Sequence, residues 1–98
     1  MTGSMTIETF QHLIRERYFE TDSARGAPAT FLWFAEEVGE LAEAIARRER
    51  GDSVQEELEG EFADVMAWLA TLANITEVDL TKAVQTKYMK NGGPSGTK

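Results

Sequence analysis

The chain has 98 residues with a formal net charge of −7, which allows a single hydrophobic core and argues against nucleic acid as a partner. No apolar run approaches the roughly 20 residues of a membrane span and no signal-peptide pattern is present, so we expect no membrane partner. The sequence has no cysteine, which excludes disulfides and thiolate metal sites and fits a reducing cytoplasm.

The first predicted helix runs from about Thr6 to Phe19. Thr6 can cap it, and its apolar residues follow i, i+3, i+4 spacing along one stripe. The segment 21–28 is rich in turn formers and predicts a connection, with Arg25 inside it. We expect residues 1–5 to form a flexible N-terminus.

The second predicted helix begins near Pro28 and ends before Gly51, because proline suits a first helical turn and glycine follows a last one. Its predicted core stripe has a 3.6-residue period: Phe31, Phe34, Val38, Leu41, Ala42 and Ile45. A second line runs along the flank of that stripe: Trp33, Glu37, Glu40 and Ala44. Glu36 points further round, towards solvent or a partner. Gly39 costs ~1 kcal/mol against alanine in a helix and so indicates close approach by another backbone or a ligand.

The third predicted helix starts at Ser53, where Ser53 and Glu56 fit a capping box, and runs to about Asn74. Its predicted buried stripe is Leu58, Phe62, Val65, Leu69 and Leu72. The line along the edge of this stripe is Glu57, Glu61, Asp64 and Trp68. Glu61 falls almost inside the apolar face, where a carboxylate is costly unless it is protonated, paired or bound to a metal.

The fourth predicted helix spans Glu77 to Lys90, with Thr76 as its cap, and residues 92–98 are expected to form a flexible tail. No segment shows strand-like alternation. We therefore predict an all-α, four-helix bundle-like protomer over residues 6–91, with an antiparallel central helix pair. The aromatic and methionine content exceeds what one small bundle hides, so we expect oligomerisation to complete it.

Two acidic pairs are predicted to meet between the second and third helices. Each pair, Glu37 with Glu40 and Glu61 with Asp64, has i, i+3 spacing on one helix face. The short turn near Gly51 makes the helices antiparallel and puts the pairs within ~3 Å of the same height. Oxygen ligands suit Mg²⁺ first, then Mn²⁺ or Ca²⁺. The alternative is a solvated acidic face, which we favour for Glu43, Glu49, Glu56 and Glu59.

The run from Glu36 to Ile45, followed by Glu61-Phe62-Ala63-Asp64, resembles the MazG-type nucleoside triphosphate pyrophosphohydrolases of the all-α NTP pyrophosphatase superfamily. The resemblance implies metal-dependent cleavage between the α- and β-phosphates, giving a nucleoside monophosphate and pyrophosphate. By position, the residues that match the family's Mg²⁺ ligands are Glu37, Glu40, Glu61 and Asp64. Glu36 matches an additional acid that positions or deprotonates the attacking water. Mn²⁺ is a possible substitute for Mg²⁺.

The resemblance also suggests residues that hold the substrate. Lys87, Lys90 and Asn91 match a region that holds phosphate or sugar, although the end of a helix also favours lysine. Arg25 is a weaker candidate of the same kind. Trp33 and Trp68 either stack on a base or pack beside the core stripe.

Two other classes of function compete with this interpretation. Ferritin-like di-iron bundles need Glu-x-x-His pairs, and this chain has a single histidine. A non-catalytic helical oligomerisation module that only binds metal stays open, and pyrophosphate release separates it from the enzyme. The resemblance favours a homodimer or homotetramer that takes a nucleoside triphosphate. The base and sugar are not specified by the pattern.

Overall fold

A computed structural model describes residues 4–52, 54–90 and 92–96, and these residues form four α-helices and no β-strand. The helices are α1 (Ile7–Arg25), α2 (Ala27–Glu49), α3 (Gln55–Ile75) and α4 (Leu80–Tyr88). The predicted all-α class is therefore confirmed. Within the described residues no helix combines the length and apolar character that crossing a membrane requires.

The predicted connection between the first two helices is wrong. α1 continues to Arg25, and only Gly26, at φ 86°, separates it from α2. The turn formers of this segment remain helical because Asp22 bonds both to Arg25 and to Thr71 of α3, which stabilises the last turn of α1. The predicted start of α1 is confirmed, since Thr6 and Thr9 form a reciprocal capping box.

The starts of α3 and α4 also differ from the predictions. Ser53 lies outside the described residues, and the N-cap of α3 is Val54, which offers no side-chain acceptor. Thr76 closes α3 rather than opening α4, because its hydroxyl donates to the carbonyl of Leu72 at 2.7 Å. Asp79 caps α4 instead, accepting from the Lys82 amide at 3.1 Å. α4 is therefore shorter at both ends than the predicted 77–90.

α2 and α3 form the antiparallel central pair that was predicted. Near the turn that joins them, Arg47 donates to Glu57 at 2.9 Å. Further from the turn, Trp33 stacks on Trp68. Residue numbers fall along α2 as they rise along α3, so the helices run in opposite directions.

α1 crosses α3 steeply rather than lying alongside it. Gln11 donates to Asn74 at 3.0 Å, and Thr71 donates to Asp22 at 3.0 Å. These partners are separated by eleven positions on α1 but by only three on α3. The crossing places the C-terminal end of α1 against Trp68 and Thr71, in the C-terminal half of α3.

The predicted core stripes are only partly buried within a single chain: Leu58 is buried, but several of the large apolar members are exposed. Phe31 on α2 and Phe62 on α3 are 55% and 52% exposed, and other members of both stripes are similarly open. The buried apolar side chains of the described residues are few and mostly small: Ile14, Ala44, Leu58, Ala70 and Ala73. α2 and α3 face each other with their acidic flanks and leave large apolar side chains such as Phe31 and Phe62 exposed. The radius of gyration, 15.5 Å, exceeds the ~13 Å typical of a compact domain of this length.

Candidate functional site

Carboxylates from both central helices meet between α2 and α3. Oxygen atoms of Glu37, Glu61 and Asp64 all lie within 4.8 Å of one another. Glu61 and Asp64 stand one turn apart on α3 because of their i, i+3 spacing, and Glu37 reaches them from α2. The structure thus brings together three of the four acids predicted to bind metal.

A second group of carboxylates lies along α2. Oxygen atoms of Glu36, Glu37 and Glu40 also lie within 4.8 Å of one another. Glu40, the fourth predicted ligand, belongs to this group. Glu36 was predicted to point further round the helix, yet its carboxylate reaches the same cluster. Glu37 is shared by both groups, so it stands at the centre of the acidic site.

Glu61 is the side chain whose position most needs a cation. Its Oε1 atom is buried and has no hydrogen-bond partner among the described residues. Loss of solvent raises the pKa of Glu61, and the negative charges of Glu40, Asp64 and Glu57 raise that pKa further. A buried, unpaired carboxylate oxygen is costly, and a cation bound there would satisfy it.

The pKa of Glu37 is raised for similar reasons. Desolvation is the largest cause that raises the pKa of Glu37, followed by repulsion from Glu40, Asp64 and Glu61. An all-oxygen set of clustered carboxylates is the donor set that hard divalent cations prefer. The residues present therefore fit a divalent metal, both in donor type and in the unpaired oxygen of Glu61.

A cleft of about 660 Å³ between α2 and α3 is lined by Glu36, Glu40, Glu61 and Asp64 but not by Glu37. Gly39 and Gly60 line this cleft, one from each helix. A Cβ atom at either glycine would meet no atom of the described residues within 4 Å, so Gly39 does not mark close approach by any of them. The absence of both side chains instead leaves room in the cleft.

The family model of the MazG nucleotide pyrophosphohydrolase domain matches residues 26–93, which include α2, α3 and α4. The chain belongs to this family. Membership indicates a nucleotide pyrophosphohydrolase, and the acidic groups agree with the metal dependence that is typical of MazG domains. A comparison with individually curated proteins gave no match. α1 lies outside the region matched to the MazG domain, so its contribution must be read from this structure alone.

An aromatic and cationic column stands beside the acids of the MazG domain. Trp33 and Trp68 stack with ring centroids 6.4 Å apart and planes inclined by 19°. The guanidinium carbon of Arg25 lies 5.1 Å from the Trp68 ring centroid. Arg25 was predicted in a loop, but it belongs to the last turn of α1. The structure therefore groups three of the predicted substrate-binding residues, although none of them lines the acidic cleft.

The predicted phosphate-binding residues of α4 are not brought to the acids within one chain. α4 packs mainly against α1, and none of its residues lines the cleft between α2 and α3. Lys87 and Lys90 are exposed, and the Lys87 ammonium lies 5.7 Å from the Tyr88 ring centroid. Asn91 lies outside the described residues.

Sequence reasoning missed Asp22 and Thr71. Both are only 5% exposed, and they bond to each other across α1 and α3. The available signal was the i, i+3 spacing of Asp22 and Arg25, which is typical of a helical ion pair. The turn-forming composition of the segment concealed that signal.

Proposed function

We propose that this MazG domain hydrolyses nucleoside triphosphates, ribo- or deoxyribo-, between the α- and β-phosphates. Water attacks the α-phosphorus, and the bond from that phosphorus to the bridging oxygen breaks. The products are a nucleoside monophosphate and pyrophosphate. The observation that carries the proposal is the meeting of Glu37, Glu61 and Asp64 around a buried Glu61 oxygen without a partner.

The proposed metal ligands are Glu37, Glu40, Glu61 and Asp64, and the proposed ion is Mg²⁺, with Mn²⁺ as a substitute. When bound, such an ion supplies charge neutralisation for the triphosphate and lowers the pKa of a coordinated water. The protein contributes the fixed positions of its carboxylates, which α2 and α3 hold as two rigid supports. Without a cation, the clustered acids repel a triphosphate, so activity depends on metal.

Glu36 is proposed to handle the attacking water. Its carboxylate lies with those of Glu37 and Glu40, while its side chain stands on the exposed side of the group. An exposed carboxylate at the edge of the cluster can accept a proton from water without leaving the hydrogen-bonding range of the site. Glu36 thus orients the water and takes its proton.

The substrate contacts are proposed in two sets. Trp33, Trp68 and Arg25 form the column beside the acids and serve the nucleoside. Lys87, Lys90 and Asn91 serve the phosphates, and the two lysines supply positive charge. Because α4 lies away from the acids of its own chain, these residues act on the substrate of a neighbouring chain.

A second copy of the chain is proposed to cover the exposed apolar surface of α2 and α3. Phe31, Val38 and Ile45 recur every seven residues on α2 and are 40–55% exposed, while Phe62 and Leu69 do the same on α3. Apolar side chains at heptad spacing are the pattern that packs helix against helix. Two copies together complete a four-helix core, and a homotetramer would be a pair of such dimers.

We assign the protein to the cytoplasm. The assignment rests on the free nucleotides that the proposed reaction consumes and on a sequence without cysteine.

The test is a pyrophosphate-release assay over the common ribonucleoside and deoxyribonucleoside triphosphates, with Mg²⁺, with Mn²⁺ and with a chelator. We expect pyrophosphate and the monophosphate in equal amounts from at least one substrate, and no release with the chelator. Metal binding without pyrophosphate release from any triphosphate would contradict the proposal and favour the non-catalytic helical module.

A further inference from the structure

A cavity of about 350 Å³ lies between α1 and α3, apart from the acidic cleft. Its apolar wall includes Ile14 and Trp68, and its polar lining includes Asp22, Arg25 and Thr71. The volume is within the ~300–1,000 Å³ of pockets that bind small molecules. A cavity with an aromatic wall and a few buried polar groups is the usual form of a site for a flat, polar ring.

The polar lining has unused hydrogen-bonding capacity. Asp22 is 5% exposed, forms an ion pair with Arg25 and accepts a hydrogen bond from Thr71 at 3.0 Å. A carboxylate has about four lone-pair positions, so Asp22 can still accept further bonds. The Arg25 Nε–H is buried and has no partner among the described residues. A ligand that both donates and accepts would satisfy this pair.

The cavity is in line with the acidic site. Glu61, Asp64, Trp68 and Thr71 follow one another on one face of α3 at alternating spacings of three and four residues. At 1.5 Å per residue, Trp68 and Thr71 lie ~6 Å and ~10 Å from Asp64 along the helix axis. That separation is comparable to the distance between the α-phosphate and the base of an extended nucleotide.

We infer that this cavity receives the nucleobase and selects bases that carry an exocyclic amino group on their hydrogen-bonding edge, an inference that rests on the proposed function. Asp22 accepts from the amino group, and Arg25 donates to the adjacent ring nitrogen or carbonyl. Uracil and thymine present a carbonyl oxygen where cytosine presents its amino group. That oxygen would face the Asp22 carboxylate with no proton between them, which disfavours these bases.

The test compares triphosphates that differ only by exchange of the amino group for an oxo group: CTP with UTP, and ATP with inosine triphosphate. We expect kcat/KM for pyrophosphate release to favour the amino-bearing member by at least about tenfold in one pair or both. Asp22→Asn places an amide, which both donates and accepts hydrogen bonds, where the carboxylate only accepts. The ratio of kcat/KM between the amino-bearing and the oxo-bearing triphosphate should therefore fall towards one. Thr71→Val frees the Asp22 carboxylate from its anchor while keeping the side-chain shape, and should lower the ratio less. Asp52→Asn, in the exposed turn before α3, is the matched control and should leave it unchanged.

A second measurement needs neither metal nor hydrolysis. Binding of CMP and UMP to the metal-free protein, followed by tryptophan fluorescence, should favour CMP by a similar factor and lose that preference in Asp22→Asn. Either of two results would overturn the inference. One is equal binding of CMP and UMP together with kcat/KM ratios within about twofold in both pairs. The other is any preference for UTP over CTP. Absence of pyrophosphate release from every triphosphate would count against the proposed function, whereas equal binding of the monophosphates counts against the base cavity alone.

Discussion

Trp33 of α2 stacks on Trp68 of α3 with ring centroids 6.4 Å apart. Trp33 precedes Glu37 by one helical turn, and Trp68 follows Asp64 by one turn. The stack therefore holds α2 and α3 in the register at which their carboxylates meet. The acidic site and the aromatic pair are neighbouring layers of the same helix interface. A substitution in one layer should therefore alter the geometry of the other.

The energy of this stack can be measured with a double-mutant cycle. Trp33→Ala, Trp68→Ala and the double variant should give a coupling energy of about 0.5–1.5 kcal/mol in urea unfolding, because an aromatic pair adds that much beyond the area it buries. Destabilisations that simply add would mean that the two rings are adjacent without interacting.

Replacing Glu61, whose Oε1 atom is buried, should weaken cation binding. Glu61→Gln is expected to weaken Mn²⁺ binding by at least the roughly 10–100-fold that loss of an outer-sphere partner costs, and to abolish pyrophosphate release. Isothermal titration calorimetry measures the first effect and circular dichroism checks that helical content is kept. Glu59→Gln is the matched control, because Glu59 is exposed on the same helix and bonds only to Gln55. Equal metal affinity in the two variants would take Glu61 out of the site.

Glu37→Gln should be at least as damaging to metal binding as Glu40→Gln. Glu37 belongs to both groups of carboxylates, whereas Glu40 belongs only to the group on α2. The same calorimetric titration ranks the two variants. A larger loss in Glu40→Gln would show that the group on α2 alone binds the cation.

The metal-free protein should become less stable as pH rises from acid to neutral. The folded-state pKa values of Glu37 and Glu61 are raised above the unfolded value of 4.5, so the folded state binds more protons between the two pKa values. The free energy of unfolding falls as pH rises through that window and levels off above the folded-state pKa values. Saturating Mg²⁺ should restore stability at neutral pH. Thermal unfolding between acid and neutral pH, with and without Mg²⁺, measures both effects, and Glu61→Gln should flatten the dependence. A metal-free protein that grows more stable over this window would contradict the prediction.

A charge placed on the exposed apolar stripes should prevent self-association. Val38→Glu and Leu69→Glu put a carboxylate on surfaces that are 40% and 41% exposed in one chain, and burial of that charge against a second copy is costly. Analytical ultracentrifugation should show smaller species for both variants. Gln85→Glu adds the same charge on the exposed side of α4 and serves as the control. A wild-type protein that is monomeric at micromolar concentration would refute the proposed dimer.

Loss of the Lys87 ammonium should raise KM and leave kcat nearly unchanged, because it removes a contact made equally to the bound substrate and the transition state. Lys82→Ala, on the same helix, is the control. If Lys87 acts on the neighbouring chain's substrate, mixing Lys87→Ala with Glu61→Gln chains should produce sites with the wild-type KM, which neither variant has alone. An unchanged KM in Lys87→Ala would remove this lysine from the substrate site.

The features that sequence predicts well here are local ones. The Thr6 cap, the i, i+3 acid pairs and the short turn at Gly51 depend on residues a few positions apart. The acid pairs and the turn led directly to the antiparallel pair and its carboxylates. The packing face was harder to predict. The stripe through Phe31 and Val38 has helical period, but a period does not tell whether the apolar side faces the same chain or another.

The segment 21–28 shows a second limit of prediction from the sequence, which is long-range hydrogen bonding. Asp22 and Ser23 favour turns locally, yet the bond from Thr71, forty-nine residues away, keeps the segment helical. Such a long-range bond cannot be inferred from neighbouring residues. The cavity between α1 and α3 could not be predicted for the same reason, since the prediction placed Arg25 in a loop.

Gly26 joins α1 to α2 as a single residue, at φ 86° and ψ 163°, a conformation that side-chain-bearing residues rarely adopt. Its amide donates to the carbonyl of Asp22 at 3.0 Å, and its carbonyl accepts from the amide of Thr30 at 3.1 Å, so helical bonding runs up to the joint from both sides. The single-residue connection therefore leaves α1 and α2 little freedom to move independently of each other. A ligand that displaces the end of α1 must also displace the start of α2 and Trp33 on it. The proposed nucleobase recognition would then be linked to the geometry of the acids.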